Sequence, residues 1–311
     1  MSNPWFTFGI VRDRWRMKNI PLPFEFGPGV RLMEIPDWIH TPADHDPLRA
    51  QVMESLDHEK LCIGVDYVAD ALGTPDPSWK GQYPQDMQTS STDHIFSVAL
   101  ALWLTKRVSV GCDLVVDCNN TSGEWVTRRK GEHDAMLTMQ HFDLEEFTVG
   151  DFEQAKVLYL AMVLVNPEGV VGIAVTCMMR ALTEQTFPLR HMLLWIAMEG
   201  LFGPDDAGEI TYRLSIRVAL FLESRTEAAR AMFRQIKESC RWRSKFVHGL
   251  RVKQVKNGEA HRLLSELEDA AARSLLKILG SKDLCDKFDS KRREDFLDEM
   301  VFEDVEKRLI S

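Results

Sequence analysis

The chain has little that would anchor it in a membrane or staple it with disulfides. Arg, Lys or Glu interrupts every apolar stretch in the 311 residues, well before the roughly 20 apolar residues a bilayer-spanning helix needs. The first residues, MSNPWFTFGIVRDRWRMK, hold no continuous apolar core of the kind a secretory signal requires. Six cysteines, at 62, 112, 118, 177, 240 and 285, form neither a C-x-x-C pair nor a zinc spacing. Reduced thiols in a cytoplasmic protein are therefore expected, with Cys177 and Cys240 inside apolar helical stretches. Glycines are scattered rather than gathered into a phosphate-cradling loop, which leaves nucleotide binding of the Walker or Rossmann type unsupported. Low-complexity tracts are absent, and a net charge of -9 disfavours indiscriminate binding of polyanions over the whole surface.

Hydrophobic residues make up 45% and charged residues 27%, the composition of an ordinary soluble globular chain long enough for two domains. Residues 1–150 read as a mixed α/β domain. Its opening mixes aromatics with Pro and Gly, as in PLPFEFGPGVRLMEIPDWI, and predicts short strands joined by turns. The loop HTPADHDP contains His40, Asp44, His45 and Asp46. A solvated loop is expected there rather than a metal site, because no partner ligands follow at a regular interval. A helix is predicted from about Leu48, then a short apolar piece at CIGVDYVADAL, a loop from Gly73, a buried helix at HIFSVALALWLTKR, and two strands around CNNTSG.

Helical patterning takes over near Gly150. The predicted helices are DFEQAKVLYLAMVLV, GVVGIAVTCMMRALTEQ, a segment opened by Pro188, EITYRLSIRVALFLE, a long helix from Ala228, and AHRLLSELEDAAARSLLKILG. In the last of these Leu263, Leu264, Leu267, Ala271, Leu275 and Ile278 form one apolar stripe. Residues 282–311 read as a separate charged amphipathic helix. The expected fold class is α+β, mostly α, with a helical bundle over residues 151–281.

The most informative stretch is Ala228 to Gly249. Its apolar positions Ala229, Met232, Phe233, Ile236 and Cys240 recur at helical spacing, and the next steps along that face are Arg243 and Val247. A guanidinium at a core-facing position must be paired or must open into a cleft. His248 follows, then Gly249 as a helix stop. Arg128 and His133 repeat the interval in a polar stretch, so spacing alone does not distinguish the pair. Context does, since the two preceding helices also carry an ionisable residue beside an apolar arc: Glu199 with Met192, Trp195, Ile196 and Phe202, and Arg217 with Ile210, Leu214, Val218, Phe221 and Leu222. No acid occurs between Glu238 and Glu259, whereas Arg241, Arg243, Lys245, Arg251, Lys253 and Lys256 all do. Arg241, Lys245, Arg251 and Lys253 are the candidate nucleic-acid contacts, although cations at a helix C-terminus also complement its dipole.

The ordered blocks W-x-A-x-E-x-L-F from Trp195, E-I-x-Y-R-L-S-x-R-V-A from Glu209 and R-S-K-F-V-H-G from Arg243 resemble the Apea-like branch of the HEPN domain family. The resemblance runs from about Asp151 to about Gly280; Cys240 departs from it where an aromatic residue is expected. It implies a homodimer joined through the motif helix and a metal-independent endoribonuclease needing no cofactor, in phage defence or a toxin-like system. Arg243 would bind the scissile phosphate, His248 would act as general acid or base, and Ser244 would orient one of them. Glu199 and Arg217 would support the site, most simply as an ion pair. The N-terminal domain would respond to a regulatory partner or ligand. The alternative is a catalytically silent module for RNA or nucleotide binding, dimerisation or sensing.

Overall fold

A computed structural model describes residues 5–11, 17–41, 46–56, 59–66, 91–121, 124–132, 146–205, 209–247 and 256–310. The chain divides into two compact units, residues 1–137 with 142–160, and residues 138–141 with 161–311. The division falls inside a helix, α3 (Val149–Leu164), rather than at residue 150. Its first turns carry Phe152 and Tyr159, which pack against phenylalanines of the N-terminal strands.

The N-terminal unit is built on one sheet of β1 (Trp5–Val11), β2 (Phe24–Gly27), β3 (Val30–Glu34), β4 (Leu61–Asp66), β5 (Leu114–Thr121) and β6 (Glu124–Glu132). The strand order is β2-β3-β4-β1-β5-β6, and each paired neighbour is antiparallel. The fold is thus α+β, with segregated sheet and helices instead of alternating βαβ units. Strand β1 is central, and both its faces are buried. Phe6, Phe8 and Ile10 join Ile35, Ile39, Val52, Leu56 and Val116 in a core beneath a 3-10 turn (Asp37–His40) and α1 (Pro47–Leu56). On the other face Gly9 lets α2 (Ser91–Lys106) approach closely, since a Cβ there would lie 2.7 Å from Ile95. The almost uniformly buried run Val98 to Leu104 explains why that helix lacks an amphipathic pattern.

Asp46 is not a solvated loop residue. It is 2% exposed and accepts hydrogen bonds from the backbone N–H groups of Arg49 and Thr127, tying α1 to β6. Burial alone would raise its pKa, but those donors prevail and hold the carboxyl below its usual range. His40 closes the 3-10 turn; Asp44 and His45 lie outside the described residues. Arg128 is on β6, and His133 also lies outside the described residues.

The second unit is helical: α4 (Val170–Thr183), α5 (Phe187–Phe202), α6 (Ile210–Leu222), α7 (Thr226–Val247), α8 (Asn257–Leu279), α9 (Lys282–Phe288) and α10 (Arg293–Ile310). The expected stripe on α8 is buried at every position from Leu263 to Ile278, facing a core that includes Leu194, Met198, Leu214 and Val218. Gly172 is needed on α4, where a Cβ would meet the Asn166 carbonyl oxygen at 2.2 Å. Residues 282–311 are two helices rather than one. Asp289, just after α9, accepts from the Val171 backbone N–H (2.9 Å) and so caps the start of α4. No helix among the described residues is long and apolar enough to cross a membrane.

Candidate functional site

Helix α7 buries Ala229, Met232, Ile236 and Ser239, at three- and four-residue steps, and the next step is Arg243. The predicted stripe is shifted by one residue at its end, where Ser239 takes the core position and Cys240 is half-buried. Phe233 and Cys240 instead face α6. The Phe233 ring meets Tyr212 edge-on at 5.6 Å, and Cys240 Sγ lies 3.1 Å from Thr211 Oγ1. Val247, the last residue of the helix, is 55% exposed.

Arg243 Nη2 donates to Glu199 Oε2 at 2.8 Å, joining α7 to α5. The two side chains retain 35% and 27% of their exposure, so the pair sits at the rim of the bundle and not in its core. Arg243 Nε is buried and has no hydrogen-bond partner among the described residues. The buried Nε cannot reach a ligand, so what Arg243 can offer an oxyanion is the Nη end of a guanidinium that is paired with a single carboxylate among the described residues.

The expected Glu199 to Arg217 ion pair does not form. Arg217 is 1% exposed and reaches α10 instead, with Nη2 2.8 Å from Glu294 Oε1 and 2.6 Å from Asp298 Oδ1. Its Nη1 donates to Glu294 Oε2 and to the Phe202 carbonyl, both at 3.2 Å. Desolvation would lower the Arg217 pKa, yet these hydrogen bonds outweigh it and the pKa is raised. Arg213 also reaches Glu294, and Arg293 donates to the carbonyls of Gly200 and Leu201 at the end of α5. The acidic tail helix packs on the body through these arginines.

Under the Glu199 to Arg243 pair lies a polar cluster that composition and spacing did not single out. His191 is fully buried on α5, with Nε2 2.9 Å from Ser239 Oγ, and the Trp195 indole N–H donates to the same oxygen at 2.9 Å. Burial pushes the His191 pKa down to about 4, so the ring is neutral at physiological pH. His191, Trp195 and Glu199 are spaced four residues apart and thus share one face of α5. That i, i+4, i+8 series, aligned with Ser239 and Arg243 on α7, is the signal by which the cluster could have been found.

Beside Arg243 the surface is aromatic and cationic. Phe246 packs edge-on against Phe187 and His191, both at 5.2 Å, and tilts against Trp242 at 6.1 Å. Lys245 Nζ sits 3.7 Å from the Trp242 ring centroid. Arg241, Ser244 and Lys245 are all exposed. His248, Arg251 and Lys253 lie outside the described residues. No group of three or more potential metal ligands occurs among the described residues.

Compared with known protein families, curated proteins and solved structures, the chain has no significant match to any.

Proposed function

We propose that the helical unit is a HEPN-type, metal-independent endoribonuclease acting at the C-terminal end of α7. The observation that carries this reading is the state of Arg243, a partly exposed guanidinium held by one carboxylate among the described residues, five positions before His248 in sequence. In this reading Arg243 binds the scissile phosphate and stabilises the charge that gathers on its oxygens. His248 takes the proton of the attacking 2'-hydroxyl or delivers one to the departing 5'-oxygen. The new bond joins the 2'-oxygen to phosphorus as the bond to the 5'-oxygen breaks, leaving a 2',3'-cyclic phosphate and a 5'-hydroxyl. Ser244, on the exposed surface next to Arg243, orients the phosphate or the imidazole, and Glu199 fixes the arginine's position.

Residues five apart on an ideal helix are about 140° out of phase, so Arg243 and His248 meet most easily across a twofold axis between two copies of the chain. A cytoplasmic homodimer with roles in antiviral defence, its N-terminal unit serving a regulatory partner or ligand, completes the proposal. The Glu199 carboxylate also favours a second reading, because it already neutralises Arg243. In that case the unit binds RNA or nucleotide, or dimerises and senses, without cutting.

The two readings separate in one assay. Purified protein incubated with RNA in excess EDTA should generate cyclic-phosphate ends, and His248→Ala and Arg243→Ala should each lower the rate at least 100-fold with unchanged circular dichroism, in keeping with the roughly 10²–10⁴ that general acid–base catalysis contributes. Binding without cleavage supports the silent module.

A further inference from the structure

Helix α7 carries a second feature on the side away from its buried stripe. Arg230, Arg234, Lys237, Arg241 and Lys245 follow one another at steps of four, three, four and four residues. At about 1.5 Å per residue these five cations form a line about 22 Å long on one helix face, with a charge roughly every 5.5 Å. All but the partly buried Lys237 are exposed. Among the described residues none of the five takes part in an ion pair. The one acid of α7 that could answer them from mid-helix, Glu238, is instead engaged by Arg262 of α8 at 2.7 Å, and Arg262 is shared with Glu266.

An ordinary solvated helix face mixes signs so that residues four apart attract. Here Arg230 with Arg234, Lys237 with Arg241, and Arg241 with Lys245 are like-charge pairs four apart, each of which destabilises the helix. Glu227 in the first turn of α7 and Glu209 beside Lys237 are the nearby acids, and with none of the five cations in an ion pair among the described residues the row suits a polyanion of similar charge spacing.

Aromatic rings accompany the row at two places. Lys237 lines a shallow groove of about 480 Å³ with Glu209, Ile210, Thr211 and Tyr212, a residue that is 50% exposed. Near the other end Lys245 lies over Trp242. An exposed cation over a ring is a weak contact, and a stacked nucleobase is the stronger occupant of the same face. A base arriving on Trp242 would displace the Lys245 ammonium towards a phosphate. Stacking of this kind needs bases that are not already paired and stacked in a duplex, which favours a single strand.

We infer that α7 holds a single-stranded RNA along its outer face, with phosphates on Arg230, Arg234, Lys237, Arg241 and Lys245 and bases on Tyr212 and Trp242. This rests on the RNA reading above and extends it, taking the strand over the length of the helix and up to the Arg243 end.

The test uses the full chain and a fluorescent 20-nucleotide 2'-O-methyl strand, which lacks the attacking hydroxyl and so reports binding alone. Anisotropy is followed from low to high salt, with the matching duplex and anionic phospholipid vesicles as competitors. Five single-strand phosphate contacts give a slope of about -3.5 in log affinity against log salt, at about 0.7 per contact. The double variant Arg230→Gln with Arg234→Gln should reduce that slope by about 1.4 and weaken binding about 25-fold at 0.1 M salt. Tyr212→Ala should weaken it about tenfold with the slope unchanged. Thermal melting verifies that these surface variants fold. An unchanged slope in the double variant, or competition by duplex or vesicles as strong as by the single strand, overturns the inference. Unmodified RNA is scored for cleavage in parallel. Cleavage combined with an unchanged slope removes the RNA track and keeps the nuclease; the expected slope without cleavage keeps the track and removes the nuclease.

Discussion

Two arginines in the helical unit show how the same side chain can be scaffold in one place and part of a candidate site in another. Arg217, at the junction of α6 and α10, is 1% exposed and makes four hydrogen bonds to two carboxylates and a carbonyl. Arg243, at the junction of α5 and α7, is 35% exposed and makes one among the described residues, with its buried Nε unpaired among them. A buried guanidinium whose two Nη groups are both engaged has little to offer a ligand, and its removal leaves Glu294 and Asp298 to Arg213 alone among the described residues. One held by a single carboxylate at the rim contributes little to stability and keeps part of its Nη end open to solvent. Satisfaction of donors, more than sequence position, therefore separates the two roles.

The comparison predicts unequal costs. Arg217→Ala should destabilise the helical unit by about 3 kcal/mol, because a buried guanidinium and its four hydrogen bonds are lost, while Glu294 and Asp298, partly exposed and within reach of Arg213, rehydrate in part. Urea denaturation measures this, and a cost no greater than that of Arg243→Ala would dissolve the distinction.

A pH-dependent effect follows from His191, two turns before Glu199 on α5. Its pKa falls from 6.5 to about 4 on folding, so the unfolded chain binds the extra proton between those values. Stability is therefore full above about pH 6.5 and falls as the pH drops towards 4, by up to about 3 kcal/mol. His191→Gln should flatten that part of the stability curve relative to wild type, whatever it does to stability at neutral pH. Parallel curves would mean that the ring is already solvated or protonated.

The smallest effect belongs to the site. Arg243→Ala should cost less than about 1 kcal/mol, the range of partly exposed ion pairs. Glu199→Gln should be similarly mild and should raise affinity for RNA by freeing the guanidinium. A large loss of stability in either would return Arg243 to the scaffold.

How far the residue pattern reaches differs between these places. Strands β1 to β3, the buried α2 and the β5 to β6 hairpin follow from alternation, apolar runs and turn residues, all of which are local. The stripe on α8 follows from helical periodicity in the same way. The ends of α7 show where this stops. Periodicity placed Cys240 in the core, but α6 packs on that flank, and Ser239 is drawn inward to serve His191 and Trp195. Asp46 in its Pro- and His-rich loop was expected to be solvated, and only the approach of β6 makes it a buried acceptor.

Taken alone, the amino-acid order determined the α+β class, a helical second half, the buried stripe of α8 and a basic motif on α7. Periodicity and local charge are properties of neighbours in sequence, so they can be read without coordinates. Which carboxylate meets which arginine was decided only by tertiary packing. Glu199 was available to either Arg217 or Arg243, and the choice depended on α10, a segment some eighty residues further along, bringing Glu294 and Asp298 to Arg217. Pairing between charges on different helices is set by distances across those helices, and the distances exist only once the helices have packed.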